Sequence, residues 1–327
     1  MKKNAILLLT FSILNYLALA QPVIPYKFGK KTTGQETVEK DKGTSFFEAG
    51  GVMGVQSQMS GGGTEISETM GQLNVSPTGG ATYSIPIALP PGIKGVQPSL
   101  TLSYNSQGGN GIAGWGWNVS GVSVISRVAA TPFHDGRVGK VNFTTGNDGD
   151  RFAFDGQRLL LKSGTYGAGG SIYETEAFSN LKITANGVSS FGAAHGPAYF
   201  RVDFPDGSHA VFGNSANSHS RTDWAITYWE DGRGLRINYD YLQADNNLNI
   251  SKITYGASGA GTPINEVQFV YGVRNRTEQA FIGGVSFMRK KLLTEVKVLG
   301  SGGSGYRSYS ISHNGSTLGY NRLVSVQ

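Results

Sequence analysis

The chain is predicted to be all-β, built of hairpin-rich twisted sheets. Three observations predict this: apolar residues alternate with a period of two, Asp-Gly turns recur between the alternating runs, and glycine is abundant among many aromatics. Of 327 residues, 48 are Gly, 15 Tyr, 16 Phe and 4 Trp, a composition suited to short strands joined by tight turns. The length allows one large β domain or two smaller ones, with core enough to fold without staples. Cysteine is absent, which removes disulfides, thiolate nucleophiles and Cys-based zinc sites together.

Residues 1–20 follow the secretory pattern. Lys2 and Lys3 precede an apolar run from Ala5 to Leu19, and Ala18-Leu19-Ala20 forms a cleavage signature, so a mature, secreted chain is expected to begin at Gln21. The rival reading, a membrane anchor, suffers from Thr10, Ser12 and Asn15 within a run short for a bilayer, and no later segment could span a membrane as a helix. The whole chain has 28 Lys and Arg against 22 Asp and Glu; without Lys2 and Lys3 the balance is 26 against 22, or +4. That surplus is too small and scattered to imply nucleic-acid binding. Residues 21–71 are rich in Gly, Lys, Glu, Ser and Thr and read as a flexible leader. The alternative is an extended strap that docks its apolar islands, Phe46-Phe47 and Val52 to Val55.

From Gln72 to Gln327 the chain reads as one β domain. Tyr83, Ile85 and Ile87 share one face and Thr82, Ser84 and Pro86 the other; after the break at Pro90-Pro91-Gly92, Leu100, Leu102 and Tyr104 resume the period. Asp155-Gly156 joins Arg151–Phe154 to Gln157–Leu161 as a tight hairpin. Pro205-Asp206-Gly207-Ser208 turns Phe200–Phe204 back into His209–Phe212, and Asp231-Gly232 joins the strand of Trp224 and Trp229 to that of Leu235, Ile237, Tyr239 and Tyr241. The spacing is uneven, so these are recurring hairpins and not a strict repeat. Val267–Tyr271, Leu293–Leu299 and Tyr306–Ile311 are further strands; Phe287 to Val296 is the one modest helical rival. Ser163–Ser171, Ala257–Pro263 and Gly300–Gly305 read as surface loops. Leu323 to Gln327 reads as a strand without a closing turn, so the domain is expected to be truncated at its C-terminus.

The search for chemistry yields weak signals. Gly109-Asn110-Gly111-Ile112-Ala113-Gly114 fits a dinucleotide fingerprint after a strand, but Trp115-Gly116-Trp117-Asn118 follows where a phosphate-binding helix must begin. Gly109, Gly111 and Gly114 are therefore expected to serve close packing, with Trp115 and Trp117 buried and no cofactor bound. Glu174-Thr175-Glu176 has the E-x-E form of mono-ADP-ribosyltransferases, without the arginine strand or the Ser-Thr-Ser strand such an NAD pocket needs; an exposed strand edge is the plainer reading. His134, His195, His209, His219 and His313 lack metal-ligand spacing, and no nucleophile elbow occurs, so neither a metal nor a catalytic residue is assigned. Asn147–Asp150 and Asp245–Asn247 could offer oxygens to calcium, although turn chemistry explains both. Trp115, Trp117, Trp224, Tyr228 and Trp229 could form a glycan-stacking face, although at this spacing aromatics more often pack in a core.

Several segments together resemble the SpvB N-terminal domain, which opens Salmonella virulence plasmid B proteins and the B components of insecticidal Tc toxins. They are YSIPIALPPG (Tyr83 to Gly92), PSLTLSYNS (Pro98 to Ser106), GNGIAGWGW (Gly109 to Trp117) and ISR (Ile125 to Arg127). DRFAFDGQRL (Asp150 to Leu159), YETE (Tyr173 to Glu176), FRVDFPDGS (Phe200 to Ser208), WAIT (Trp224 to Thr227) and VQFVY (Val267 to Tyr271) extend the resemblance over residues 72–327. It implies the opening part of an Rhs/YD-type β shell, non-catalytic, with Pro86, Pro90, Pro91, Gly92, Gly109, Gly111, Gly114, Trp115 and Trp117 as a structural motif. The implied partner is the remaining YD-repeat shell or toxin component, in the same or a neighbouring chain. It also aligns Glu174 and Glu176 with an ordinary strand, since the ADP-ribosylating module of this family is a separate C-terminal domain. One departure stands at Asp231-Gly232-Arg233-Gly234-Leu235, where the family favours Asp-x-x-Gly-Asn; the hairpin is expected to survive it.

Overall fold

A computed structural model describes residues 71–327, other than 147 and 260. The expected signal peptide, and the expected leader up to residue 70, lie outside the described residues. The first strands are β1 (Gln72–Val75), β2 (Ala81–Pro86), β3 (Thr101–Asn105), β4 (Asn110–Gly111), β5 (Gly114–Trp115), β6 (Trp117–Ser120) and β7 (Val124–Val128). Next come β8 (Arg151–Phe154), β9 (Gln157–Ser163), β10 (Ile172–Thr175), β11 (Lys182–Asn186), β12 (Tyr199–Asp203), β13 (His209–Phe212) and β14 (Asp223–Glu230). The last are β15 (Leu235–Ala244), β16 (Asn247–Ser258), β17 (Asn265–Ile282), β18 (Val285–Leu299), β19 (Gly305–Gly315) and β20 (Asn321–Val326). The all-β expectation holds, and the stretch Phe287 to Val296 that rivalled as a helix lies inside β18.

Strands β7 to β14 pair antiparallel in sequence order, and β14 closes the ring by pairing with both β13 and β7. A closed antiparallel ring of this size leaves an interior that side chains fill. Ile125, Phe152, Leu159, Tyr173, Ile183, Phe200, Phe212 and Trp224 fill it, each buried. The same β14 leads outward: its second half, Tyr228 to Glu230, pairs with β15, which starts an open antiparallel sheet running through β16, β17, β18 and β19 to β20. A separate sheet of order β1-β2-β3-β6 and the short β4–β5 hairpin complete the fold.

Local sequence sets the hairpins. Asp155 (φ 45°) and Gly156 (φ 82°) both take positive φ between β8 and β9, as a two-residue primed turn requires. Asp245 (φ 52°) and Asn246 (φ 62°) do the same between β15 and β16, so this acidic cluster is a turn. The turn at Asp231 departs in detail from expectation: Gly234, not Gly232, holds positive φ. Asp231 Oδ1 accepts from the amides of Arg233 (2.9 Å) and Leu235 (2.8 Å), which keeps the hairpin closed without the family's asparagine. The loop between β9 and β10 is not merely surface. Its Tyr166 inserts into the barrel end, stacking on Phe152 at 5.4 Å and accepting a 2.7 Å hydrogen bond from the Phe152 amide.

Candidate functional site

The segment from β2 to β6 is clamped onto the open sheet by side chains that reach its main chain. The Tyr309 hydroxyl accepts from the Ala88 amide at 2.7 Å, the Tyr255 hydroxyl donates to the Pro90 carbonyl at 2.7 Å, and Asn265 Nδ2 donates to the Pro91 carbonyl at 3.3 Å. These bonds satisfy carbonyls and an amide in a Pro-Pro-Gly stretch that forms no strand there. Gly92 belongs to the same bend, since a Cβ on it would lie 1.8 Å from the Val96 carbonyl oxygen.

The glycine loop is held more tightly. Arg274, buried on β17, donates from Nη1 to Asn110 Oδ1 at 2.8 Å, from Nη2 to the Gly111 carbonyl, and from Nε to the Lys291 carbonyl at 2.7 Å. It can do so because the β17–β18 ladder breaks between Val273 and Glu278, freeing the intervening residues from regular pairing. Further bonds run from the Leu293 amide to the Ile112 carbonyl (2.9 Å) and between His313 Nε2 and the Ala113 carbonyl (2.9 Å). The phosphate-binding geometry of a dinucleotide turn is replaced by the β4–β5 hairpin, which leads straight into β6.

The loop's glycines divide. A Cβ on Gly111 would lie 2.0 Å from the Trp117 carbonyl oxygen, and one on Gly114, whose φ is 111°, would lie 3.0 Å from the Asn321 carbonyl oxygen. Gly109 differs from expectation: a Cβ there meets nothing within 4 Å. Burial of both tryptophans also fails. Trp117 is half-buried between Tyr83 (6.3 Å) and Tyr104 (5.3 Å), but Trp115 is 40% exposed and rests on Tyr320 at 4.7 Å. The reason is the two-residue hairpin, whose pleat turns Gly114 inward and Trp115 outward.

The second concentration of polar chemistry lies inside the barrel. Arg127 is buried, with its guanidinium 5.0 Å from the Trp224 ring and 5.6 Å from that of Phe152. Its Nε donates to the Arg221 carbonyl at 2.7 Å, Nη2 to the His195 carbonyl, and Nη1 to Asp150 Oδ2 at 3.4 Å. Burial lowers the Arg127 guanidinium to about 10 against the pull of Asp150, and burial raises the Asp150 carboxyl despite amide bonds from Asn142 and Phe143. Both ions are therefore costly, and their pairing offsets that cost. The buried His219 ring stacks on Trp224 at 4.8 Å, its Nε2 without a partner, and burial beside Arg127 lowers it to about 4.

The other sequence candidates scatter. Glu174 pairs with Lys162 (3.1 Å) and Glu176 with His134 (2.8 Å), both partly exposed. Trp224 is fully buried in the barrel, so the five candidate aromatics form no common face. Asp150 is committed to Arg127 and the amides of Asn142 and Phe143. Among the described residues no group of three or more His, Asp or Glu gathers as metal ligands, and no helix is long and apolar enough to cross a membrane. Sequence reasoning missed Arg274, Tyr255 and Tyr309, and it quoted Arg127 without a role. A lone arginine within a strand is the one signal that could have marked Arg127 and Arg274.

A closed eight-stranded ring continues through one shared strand into an open sheet, and the glycine loop docks on that sheet, which defines an all-β module. Residues 75–136 match the family model SpvB, Salmonella virulence plasmid 65kDa B protein. The fold is similar to the N-terminal domain of effector protein SpvB from Salmonella typhimurium strain LT2, with a TM-score of 0.57 and 19% identity over 74% of this chain and 97% of that one. It is similar also to TcdB2-TccC3, with a TM-score of 0.60 and 17% identity over 83% of this chain and 16% of that one. For the Tc holotoxin pore of Photorhabdus luminescens the TM-score is 0.61 at 17% identity, over 81% and 16%. Residues 75–136 thus match the SpvB family model, and the described residues share the fold of the SpvB N-terminal domain and of part of the Tc toxin chains. The chain covers about one sixth of the Tc chains it matches. No curated protein matches the sequence.

Proposed function

We propose that the chain is a secreted, non-catalytic scaffold module whose residues 72–327 form the opening part of a β shell around a toxin payload, with the rest of the shell in the same or a neighbouring chain. One observation carries this reading: residues 75–136 match the SpvB family model, and the fold of the described residues is similar to the N-terminal domain of effector protein SpvB and to part of TcdB2-TccC3. In this reading Pro86, Pro90, Pro91, Gly92, Gly111, Gly114 and Trp117 fasten the β2–β6 layer, while Trp115 remains available at the surface. Gly109 has no steric role at its own Cβ and keeps only its place in the turn. Arg127 and Asp150 are committed to each other, and Glu174 and Glu176 to surface ion pairs.

The test is affinity purification of the tagged chain from its native source with mass spectrometry of the particle. Recovery with a YD-repeat polypeptide, or as part of one, is the expected result. A chain recovered alone, or one that hydrolyses NAD when purified, overturns the reading.

A further inference from the structure

Phe143 holds φ at 63°, a left-handed conformation that Asp and Asn tolerate and a bulky ring seldom adopts. It lies in the segment joining β7 to β8, and it is buried. Backbone in that region persists only where its surroundings hold it, and such residues gather at clamps and switches. Asp150 does the holding: its Oδ1 accepts from the Asn142 amide at 3.0 Å and its Oδ2 from the Phe143 amide at 2.9 Å. Asn142 Oδ1 braces the turn further, accepting from the Thr144 amide at 3.2 Å and the Thr144 hydroxyl at 2.6 Å.

The Phe143 ring meets the far end of the β17–β18 hairpin. Beyond the break between Val273 and Glu278, residues 278–282 pair with 285–289 and form an arm that turns at Gly283 and Gly284, with φ 54° and 80°. The Phe143 ring lies 6.3 Å from that of Phe287, which is itself buried. A Cβ on Gly283 would lie 2.7 Å from Phe143 Cε2 and 3.2 Å from Asn142 Cα, so the turn of the arm is fitted against this segment. On the side of the open sheet the arm is bonded to the β15–β16 turn: the Met288 amide donates to the Asp245 carbonyl (3.2 Å) and Asn246 Nδ2 to the Ser286 carbonyl (2.8 Å). Asp150 also pairs with Arg127 inside the barrel, and Arg127 Nε donates to the carbonyl of Arg221, whose guanidinium lies 6.0 Å from the Phe143 ring. The residue that touches the arm is thus held by the charge pair of the barrel.

We propose that Phe143 is a latch: the buried Arg127–Asp150 pair, by holding residues 142 and 143 in the left-handed turn, docks the arm of residues 278–289 against the barrel. Withdrawal of the carboxylate from the two amides lets the backbone relax, and the ring no longer seats Phe287 and Gly283. The arm then loosens while β14 still closes the ring of strands. Coupling of this kind is carried by packed side chains and hydrogen bonds that share one element. The inference stands apart from the assembly reading, since it concerns contacts within the chain.

The experiment is hydrogen exchange on the full chain, detected by NMR. Phe143→Gly keeps the left-handed turn, which glycine adopts freely, and deletes the ring. It should speed exchange at residues 278–287 by about tenfold or more, while the amides of residues 142 and 143 and of β8 to β13 keep their wild-type rates. Arg127→Met with Asp150→Ala removes the carboxylate without leaving a buried charge behind. This double variant should speed exchange both at residues 142 and 143 and at residues 278–287. Adding Phe143→Gly to it should change the rates of the arm by less than about twofold, because both changes act through one contact. Should the double variant not fold, Asp150→Glu serves in its place, since the longer side chain keeps a charge for Arg127 and shifts its oxygens away from the two amides. Wild-type rates at residues 278–287 in Phe143→Gly, or in the variant at position 150, overturn the proposal. So do effects that multiply when the variants are combined, and a rise after Phe143→Gly that β8 to β13 share.

Discussion

The barrel and the open sheet share β14 yet are stabilised in opposite ways. In the barrel every strand from β7 to β14 has two neighbours, so closure leaves no edge, and the interior is filled by interlocking rings. Phe152 lies 5.3 Å from Trp224 and 5.2 Å from Phe200, both nearly edge-on, a geometry that adds to burial. The open sheet has no such closure. Its layer β2–β6 is fastened by hydrogen bonds with the side chains of Tyr255, Asn265, Arg274 and Tyr309. A closed ring needs no further support along its strands, whereas the layer on the open sheet depends on a few long-range side-chain bonds.

This contrast can be broken first at its strongest point. Trp224→Ala removes the ring that touches Phe152, Phe200, His219 and Arg127, and should cost about 3–5 kcal/mol. Denaturant unfolding measures the loss; a loss under about 1 kcal/mol would mean that the barrel core is not interlocked. Asp150→Ala leaves Arg127 buried without its carboxylate and should cost about 3 kcal/mol, while Arg127→Met with Asp150→Ala together should recover most of it. A double variant no better than Asp150→Ala would deny the pairing.

The barrel should also respond to acid through His219. Its folded value of about 4 lies below the ordinary 6.5, so between those values the unfolded chain binds more protons and stability falls as pH falls. Below about pH 4 this group adds nothing further. His219→Phe should therefore lose less stability than the wild type between pH 6.5 and 4, by on the order of 2 kcal/mol. Parallel pH profiles for the two proteins would exclude the effect.

The smallest effect is expected on the open side. Tyr255→Phe deletes the donor to the Pro90 carbonyl and should cost about 1 kcal/mol, with faster hydrogen exchange confined to residues 81–120. Exchange rising equally in β8 to β13 would show that the β2–β6 layer and the barrel form one cooperative unit, which removes the distinction drawn between them.

Much of the local structure was legible before any coordinates. Asp155-Gly156 forces a primed turn because both residues tolerate positive φ, and the alternation of Ile85 and Ile87 with Ser84 and Pro86 fixes which face is buried. The glycine loop was legible in kind, because Trp115 and Trp117 cannot follow it into a helix. Trp115 was misjudged, since two residues of hairpin decide its direction and the sequence holds no period long enough to reveal it. Arg274 was invisible because its value comes from a bulge that frees it, and its partner Asn110 lies 164 residues away.

The sequence by itself therefore determined most of the strands and turns and the resemblance of residues 75–136 to the SpvB family, because these rest on neighbours in the chain. Tertiary structure alone decided that β14 closes a ring and also starts a sheet, that Arg127 sits inside that ring, and that Trp115 faces outward. Those outcomes depend on hydrogen bonds spanning up to 221 residues, such as Ala88 to Tyr309, and no local pattern encodes where two distant strands will meet.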